Sequence, residues 1–314
     1  MYRFFRFVMS SLILAFGLIA CSGEVDPRNA AEGLSQETSR NNQLDGPALW
    51  RVADADTTVF LFGTVHVLRP GLDWQSVAIE DAFNAADAVY FEADVDSPKA
   101  LSDTNAAATA LGLYTDGRTL RGVLEDDDER EVEEAARLLR LPMGSIDNLR
   151  PWLVSIQLSN VHLDRLGFSQ ASGVETVLGN EAQRLNKDIR YFETGARQIE
   201  LFASVPEQSQ IAMLVDTAIQ IEDDPNFLDR TVADWLSGDV AALAEAIASD
   251  GSFGSGPVYD TMLKGRNADW ALQIQDLLNN EPGTFFVAVG AAHLTGTDSV
   301  LAYLENGGLE VFRE

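Results

Sequence analysis

The folded part of the chain opens with a pattern that predicts a β-hairpin, then a helix and a further strand. Residues 49–52 ("LWRV") and 58–63 ("TVFLFG") are separated by the turn-forming stretch "ADAD". The second run is apolar at every position from 59 to 62, as in a strand buried on both faces. Apolar residues then recur at helical spacing over 74–86, and "AVYFEAD" at 88–94 predicts another strand. This order predicts a βαβ unit with a parallel pair of strands.

The middle of the chain, roughly residues 97–280, has the pattern of a mainly helical region. The acidic run "EDDDER" at 125–130 opens one helix, because acidic side chains favour the positive end of the helix dipole. Residues 227–248 are predicted to form one continuous helix. The glycine-rich "GSFGSGP" at 251–257 follows a helix and predicts a loop.

Three further strands are predicted outside this helical pattern. "DIRYFETG" at 188–195 predicts a short strand, and "GTFFVAVG" at 283–290 predicts a buried one. After a last helix, "LEVFRE" at 309–314 predicts a closing edge strand.

Two short motifs each place a histidine just after an apolar strand. The stretches "GTVH", ending at His66, and "GAAH", ending at His293, both consist of glycine, two residues and histidine, in a chain with 3 histidines. The third, His162, lies inside a predicted helix and is interpreted as structural or exposed. Glu92 and Glu193 also lie at strand ends. Because ligands of open α/β sheets bind at the carboxyl ends of the strands, we expect these four side chains to converge.

Two neutral imidazoles and a carboxylate are a common ligand set for a divalent transition metal with an open position for water. The glycines ahead of the histidines allow a sharp turn off the strand and the close approach of a ligand. The alternative is that the histidines are hydrogen-bonded loop residues and that the glutamates are solvated strand ends. A serine-hydrolase elbow and a phosphate-binding P-loop are both missing from the sequence.

Composition narrows the choice of partners. The chain has 314 residues, a formal net charge of −27 and 46% hydrophobic residues, enough for a large core in one or two domains. So acidic a protein repels phosphates, and we therefore predict no nucleic-acid partner.

The N-terminus carries a targeting pattern. Residues 1–20 combine two arginines with a short uncharged apolar run, which predicts a signal peptide. The run ends in "LIAC", which resembles the bacterial lipobox, so the single cysteine, Cys21, is the predicted lipidation site. We therefore expect a lipid-anchored envelope protein on the periplasmic face, with an outer-membrane destination because Ser22 follows Cys21. The alternative is a plain signal peptide with an incidental cysteine. Residues 21–46 predict a flexible linker and 47–314 one folded domain.

The motifs taken as an ordered set resemble the TraB/GumN family, which includes the Tiki proteins. The resemblance runs from about residue 48 to residue 314. The motifs that carry it are "LFGTVHVL", "YFEAD", "LRPW", "GVET", "FETGARQ", "GRNADW" and "FVAVGAAHLTGTDSVLAYLENGGLEVF". The resemblance implies an α/β fold of the erythromycin-esterase and ChaN-like kind. In such a fold a parallel-rich central sheet from both ends of the chain frames a large helical insertion.

For the Tiki members the resemblance implies a metal-dependent protease, with the two Gly-x-x-His motifs and a glutamate at its centre. Carried over to this chain, it implies that His66 and His293 bind a divalent metal such as Mn, Co or Zn. Glu92 is then either a third ligand or the base that activates water. Arg150 and Arg266 are candidates for stabilising an oxyanion or holding a carboxylate, or else they form structural ion pairs.

Three more residues of these motifs are expected to support the histidines. Glu175 and Glu193 would orient a histidine from behind, and Asn267 belongs to the same supporting group. Family members often have Asp where this chain has Glu175, which retains the carboxylate with a longer reach. The expected function is a periplasmic metal-dependent hydrolase acting on a peptide or protein substrate. The alternative is a lipoprotein that binds haem, metal or peptide without turnover.

Overall fold

The structure is a computed structural model that describes residues 46–249 and 251–314. The expected signal peptide (1–20), the predicted lipidation site Cys21 and the expected linker up to residue 45 lie outside the described residues. Within the described ranges, no helix is long and apolar enough to cross a membrane.

A single sheet and a large set of helices make up the described chain. The strands are β1 (Leu49–Ala53), β2 (Thr57–Thr64), β3 (Ala88–Asp94), β4 (Asp188–Thr194), β5 (Gly283–Gly290) and β6 (Phe312–Arg313). The helices are α1 (Val77–Ala85), α2 (Pro98–Gly112), α3 (Leu120–Val123), α4 (Asp126–Leu138), α5 (Met143–Ile146), α6 (Pro151–Arg165), α7 (Val174–Arg184), α8 (Gly195–Ser204), α9 (Glu207–Asp223), α10 (Phe227–Leu236), α11 (Val240–Ala248), α12 (Gly251–Gly254), α13 (Gly256–Tyr259), α14 (Gly265–Asn280) and α15 (Val300–Asn306). Short 3₁₀ turns at Gln170–Ser172 and Ala291–Leu294 and a π-helical turn at Asp260–Lys264 complete them.

The strand order across the sheet is β4-β3-β5-β2-β1-β6. Strands β4, β3, β5 and β2 are mutually parallel, and β1 pairs antiparallel with both β2 and β6. The parallel-rich α/β fold, the β1–β2 hairpin and the closing edge strand are therefore confirmed. The predicted parallel pairing of β2 with β3 is wrong, because β5, from the other end of the chain, lies between them and pairs with both.

The central strands are buried on both faces. On one face, Phe62 and Phe286 pack with α1, α7 and α10 side chains, and on the other, Leu61 and Val287 pack with α14 and α15. The sequence of such a strand is apolar at successive positions, because side chains on both faces of the sheet are buried away from water. The two apolar runs that precede the Gly-x-x-His motifs thus mark the centre of the sheet.

Apart from β4, the chain between β3 and β5 is mainly helical. Helices α2, α6 and α8 surround the stacked rings of Trp152 and Phe202, whose centroids lie 5.8 Å apart. A second cluster joins α4, α6 and α9. Two local predictions in this region are wrong. The expected helix over 227–248 divides into α10 and α11 because Gly238 adopts a φ of +67°, and the expected loop at 251–257 forms α12 and the start of α13.

Candidate functional site

Four predicted site residues lie at or just beyond the carboxyl ends of four adjacent parallel strands. In sheet order they are Glu193 on β4, Glu92 on β3, His293 beyond β5 and His66 beyond β2. The two Gly-x-x-His motifs follow directly paired strands, one residue out of step, since Gly63 pairs with Val289. As expected, the side chains of His66, Glu92 and His293 lie close together, and Glu193 joins them through Arg266.

The ring of His66 is fixed from behind by α7. Its Nδ1 lies 2.7 Å from Oε1 of Glu175, and the same oxygen also accepts a hydrogen bond from the Thr64 hydroxyl. Glu175 reaches this position because Gly173, ahead of the helix, packs so tightly on the His66 carbonyl that a Cβ atom would clash with it. The glycine of "GVET" is therefore required by a close backbone approach.

The ring of His293 is fixed from behind by α14. It is fully buried within the turn Ala291–Leu294, and its Nδ1 lies 2.5 Å from Oδ1 of Asn267. The amide nitrogen of Asn267 donates to the carbonyl of Asp298, so its Oδ1 faces the histidine as an acceptor. The proton of His293 therefore belongs on Nδ1, and the lone pair on Nε2. The ring of Trp270 packs against His293 with a centroid distance of 4.5 Å.

Glu92 connects the two histidines. Its Oε1 lies 3.9 Å from Nε2 of His66 and 3.6 Å from Nε2 of His293, and it accepts a 2.7 Å hydrogen bond from the amide of Gly290. Burial disfavours ionisation of Glu92. Electrostatic interactions with His293, Arg266 and His66, together with the Gly290 amide, outweigh burial and lower the pKa of Glu92 to about 2. Glu92 is thus a buried carboxylate at neutral pH.

Arg266 is the buried counter-ion of the cluster. Its Nε donates to Glu193 at 2.9 Å, and its Nη2 donates to Glu92 at 2.6 Å and also to Glu193. Its Nη1 contacts the Met262 carbonyl at 3.0 Å and Nε2 of His293 at 3.1 Å. These contacts engage all five guanidinium N–H groups, which leaves no donor for a substrate oxygen. The geometry favours the structural ion pair among the two roles expected for Arg266.

The two histidines have opposite protonation tendencies. Burial lowers the pKa of His66, but the charge and hydrogen bond of Glu175, together with Glu92, outweigh it and raise the value to about 9. Burial lowers the pKa of His293 to about 3, helped by Arg266 and opposed by Glu92. The site thus holds one imidazole that is easily protonated and one that stays neutral.

A cavity of about 380 Å³ opens beside this cluster. His66, Glu92, Glu175 and Gln198 are among the residues that line it. Nε2 of His66 and Oε2 of Glu175 are buried and have no hydrogen-bond partner. Buried polar atoms without partners are costly, so these two atoms beside the cavity are available to bind a ligand or a water molecule.

Two other predicted residues lie elsewhere or contact other groups. Arg150 precedes α6, 3.7 Å from Glu207 and above the ring of Tyr114, and is not among the described residues that line the cavity. Its predicted catalytic role stays a prediction that this geometry does not support. Among the described residues, Glu193 contacts Arg266 and Gln198 but neither His66 nor His293. Its expected role in orienting a histidine is therefore replaced by a role in holding Arg266.

Some functional contacts were not foreseen from the sequence. The Gly290 amide that binds Glu92 and the Thr64 hydroxyl that binds Glu175 are both strand-end groups whose partners are distant in sequence. The first contact follows only once β5 and β3 are known to be neighbours, and the second only once α7 is known to begin beside the end of β2.

The donor types fit a divalent metal, although the site is not assembled as one. Within residues 46–249 and 251–314, no group of three or more His, Cys, Asp and Glu side chains is positioned to hold a metal ion. Ligands bound tetrahedrally at about 2.1 Å lie about 3.4 Å apart, and the separations of Glu92 from the two Nε2 atoms, 3.6 and 3.9 Å, are somewhat longer. The guanidinium of Arg266 also contacts the Nε2 of His293. The free Nε2 of His66 and the fixed Nδ1 atoms are nevertheless features of metal-binding histidines.

The fold and the site define an α/β protein with a histidine–carboxylate centre at the ends of its parallel strands. The model of the TraB/PrgY/gumN family matches residues 48–313, and the chain belongs to that family. It is 22% identical over 257 residues to the uncharacterized protein YbaP of Escherichia coli K12, covering 82% of this chain and 91% of YbaP. It is also 22% identical over 317 residues to the metalloprotease TIKI1 of Xenopus tropicalis, covering 84% of this chain and 60% of TIKI1. No solved structure matches the chain significantly.

Proposed function

We propose that this protein is a hydrolase that depends on a divalent transition metal and cleaves peptide bonds. The observation that carries the proposal is the convergence of two Nε2 atoms, from His66 and His293, on one carboxylate oxygen of Glu92. Each histidine is held through its Nδ1 by an acceptor on a separate helix, as histidine ligands of metals are. The similarity to a protein named as a metalloprotease supports the same class of chemistry.

In this proposal His66, His293 and Glu92 hold the metal. A bound divalent ion supplies Lewis-acid polarisation of the scissile carbonyl and a nucleophilic water at neutral pH. Glu92 would act as a ligand, because its Oε1 faces the Nε2 atoms of both histidines. The metal can be Mn, Co or Zn, since imidazole and carboxylate suit all three.

Glu175 is the proposed proton acceptor. Its Oε1 orients His66, whereas its Oε2 is buried, lacks a hydrogen-bond partner and belongs to a residue that lines the cavity. A base must lie within hydrogen-bond reach of the proton it takes, and Oε2 is a free acceptor next to the proposed ligand. Glu175 therefore combines the orienting role expected from the sequence with proton transfer.

Arg266 and Glu193 support Glu92. Because buried Arg266 pairs with both carboxylates, it favours the ionised form of Glu92 and fixes its Oε2, leaving Oε1 directed at the histidines. A metal bound to Nε2 of His293 would have to replace the contact that Nη1 of Arg266 makes with this atom.

A peptide-binding protein without turnover is the second candidate, and the contact between Arg266 and His293 favours it, since that contact satisfies His293 without a metal. Haem binding gains no support, because the ring of His293 is fully buried.

The test is hydrolysis of a mixed peptide pool by the full chain after separate loading with Mn²⁺, Co²⁺ or Zn²⁺. Glu175→Gln keeps an amide oxygen that can still accept from Nδ1 of His66, so at saturating metal it should lower the rate by about a hundredfold or more, as loss of a general base does. Glu92→Gln should lower both the rate and the metal content. His162→Gln, on α6 and outside the cluster, should change neither. A loaded protein that binds peptides but cleaves none of them would instead establish the non-catalytic candidate.

We further propose that the protein is anchored to the bacterial envelope through a lipid on Cys21 and faces the periplasm, at the outer membrane. The support is the sequence pattern of residues 1–21 and the serine that follows it. Mass spectrometry of the N-terminal peptide and fractionation of Cys21→Ser test this. A soluble wild-type protein with an unmodified cysteine would contradict it.

A further inference from the structure

The mouth of the cavity beside the histidines has an unusual charge pattern. Of the described residues that line the cavity, Glu92, Asp94, Asp96 and Glu175 are acidic, and none is lysine or arginine. Two of these acids already have partners inside the cluster, because Arg266 compensates Glu92 and His66 compensates Glu175. Asp94 and Asp96 lie outside this compensation.

Asp94 is partly occupied by the backbone. It ends β3, and its carboxylate accepts hydrogen bonds from the Ser97 amide at 3.0 Å, the Ser97 hydroxyl at 2.6 Å and the Asp96 amide at 3.2 Å. These contacts orient the carboxylate at the start of α2, but none of them supplies a positive side chain.

Asp96 has no such set of partners. Its side chain is at the exposed rim, and Lys99, the nearest cation in sequence, is paired instead with Asp103 at 2.5 Å. Burial and the neighbouring charge of Asp94 both raise the pKa of Asp96, as expected for two like charges held side by side. Among the described residues that line the cavity, Asp94 and Asp96 therefore have no lysine or arginine to compensate their charges.

An aromatic ring completes the rim. Tyr191 on β4 pairs with Phe91 in the parallel register, lines the cavity and is 38% exposed. Asp94 and Asp96 line the same cavity, and burial, followed by their charges, raises the pKa of the Tyr191 hydroxyl. An exposed aromatic face beside carboxylates is the surrounding that ammonium and guanidinium groups favour.

We propose that Asp94, Asp96 and Tyr191 form a subsite that binds a positively charged group of the substrate. The inference rests on the proposed function, because the subsite shares its cavity with His66 and Glu92. Asp94 follows Glu92 by two positions on β3, a rise of about 7 Å, which an extended peptide spans with about two residues. The preferred substrate is therefore a peptide with a lysine, an arginine or a free N-terminal ammonium about two residues from the bond that is cut.

The experiment measures binding before hydrolysis. Full-chain protein freed of metal with EDTA is titrated with four peptides of equal length, which carry a central lysine, arginine, norleucine or glutamate and blocked termini. A fifth peptide carries norleucine and a free N-terminus, so that an ammonium at the end is distinguished from a basic side chain. The lysine or arginine peptide should bind about tenfold more tightly than the norleucine peptide, and the glutamate peptide most weakly.

Variants locate the preference. Asp94→Asn with Asp96→Asn should remove it, and Asp96→Asn alone, which removes no helix-capping contact, should remove part of it. Asp96→Lys should shift the preference towards the glutamate peptide. Asp81→Asn, the same change at an exposed position of α1 outside the cavity, should retain the wild-type preference. Raising the ionic strength from about 0.1 M to about 1 M should weaken the preference of the wild type for the cationic peptides, because the Debye length falls from about 10 Å to about 3 Å.

Binding and hydrolysis separate the two proposals. Equal binding of all the peptides, no binding of any, or a preference that survives the double substitution overturns the cationic subsite. A charge preference in the metal-free protein with no cleavage after metal loading overturns the proposed function and leaves the subsite standing. Cleavage after metal loading without a charge preference in binding would overturn the cationic subsite and leave the proposed function standing.

Discussion

The backbone amide of Gly290 donates a 2.7 Å hydrogen bond to Oε1 of Glu92, across the boundary between β5 and β3. The same oxygen faces the Nε2 atoms of His66 and His293. One carboxylate therefore connects three strands that come from both ends of the chain. Because this oxygen is fixed by backbone, its position depends on the sheet and not on a flexible loop.

Replacing Gly173 should disturb His66 without touching its side chain. Gly173→Ala places a Cβ atom on the His66 carbonyl, so either the turn after β2 or the start of α7 must move. We expect a loss of stability of about 2 kcal/mol or more and a weaker contact between His66 and Glu175. Chemical denaturation measures the first, and metal affinity the second.

Gly179→Ala is the matched control on the same helix. A Cβ atom at position 179 meets no atom within 4 Å, and alanine is favoured over glycine inside a helix by about 0.5–1 kcal/mol. This variant should be slightly more stable than the wild type. Equal destabilisation by both substitutions would contradict the close approach at Gly173.

Asn267 should tune metal binding through His293. Asn267→Ala removes the acceptor that holds Nδ1–H, which frees the ring to rotate or change tautomer. Losses of this kind typically weaken metal affinity by about 10–100-fold. Calorimetric titration with Zn²⁺ measures the change. Asn280→Ala at the exposed end of the same helix should leave affinity unchanged, and an equal loss there would point to a general effect on α14.

Arg266 should matter for folding more than any exposed arginine. Arg266→Met leaves the buried carboxylates of Glu92 and Glu193 without a counter-ion, and breaking a buried pair in this way costs about 3–5 kcal/mol. Urea unfolding measures it. Arg184→Met removes only an exposed contact with Glu181 on α7 and should change stability far less. Similar losses in the two variants would show that Arg266 is not a buried counter-ion.

The metal-free protein should lose stability as the pH rises towards 9. The pKa of His66 is raised from 6.5 to about 9, so its protonated form is favoured in the folded state. Its contribution is fully present below pH 6.5 and is lost as the pH rises through 9, a loss of about 3–4 kcal/mol for a shift of 2.5 pH units at about 1.4 kcal/mol per unit. Denaturation of EDTA-treated protein from pH 6 to pH 10 measures this.

Substitutions assign that pH dependence to one residue. His66→Gln should flatten the decline in this window, whereas His162→Gln should not. Burial lowers the pKa of His162, so its titration affects stability only below pH 6.5. An unchanged decline in His66→Gln would show that another group titrates there.

The sequence predicted much of this site because its chemistry lies at strand ends. The apolar runs before His66 and His293 identify strands buried on both faces, and parallel strands bring their carboxyl ends to one edge. Local pattern was sufficient for β1 to β5. It was insufficient at Gly238, where a positive φ divides a helix that an apolar pattern makes continuous.

The remaining features depend on contacts between distant parts of the chain. That β5 lies between β2 and β3 follows from the packing of segments more than 190 residues apart, which no local periodicity encodes. The engagement of every N–H group of Arg266 has the same origin, because Glu92 lies on β3, Glu193 on β4 and His293 in the turn after β5. A sequence motif identifies these residues, but it does not show which of them contacts a ligand and which only positions another residue.

The most direct test of the account is the amount of metal bound per chain. The full-length protein is loaded separately with Mn²⁺, Co²⁺ and Zn²⁺, desalted and analysed, together with His66→Ala, His293→Ala and His162→Ala. The account predicts one metal ion per chain in the wild type and in His162→Ala, and loss of that ion in the other two variants with the fold intact by circular dichroism. A wild-type protein that holds no metal under any loading would contradict it.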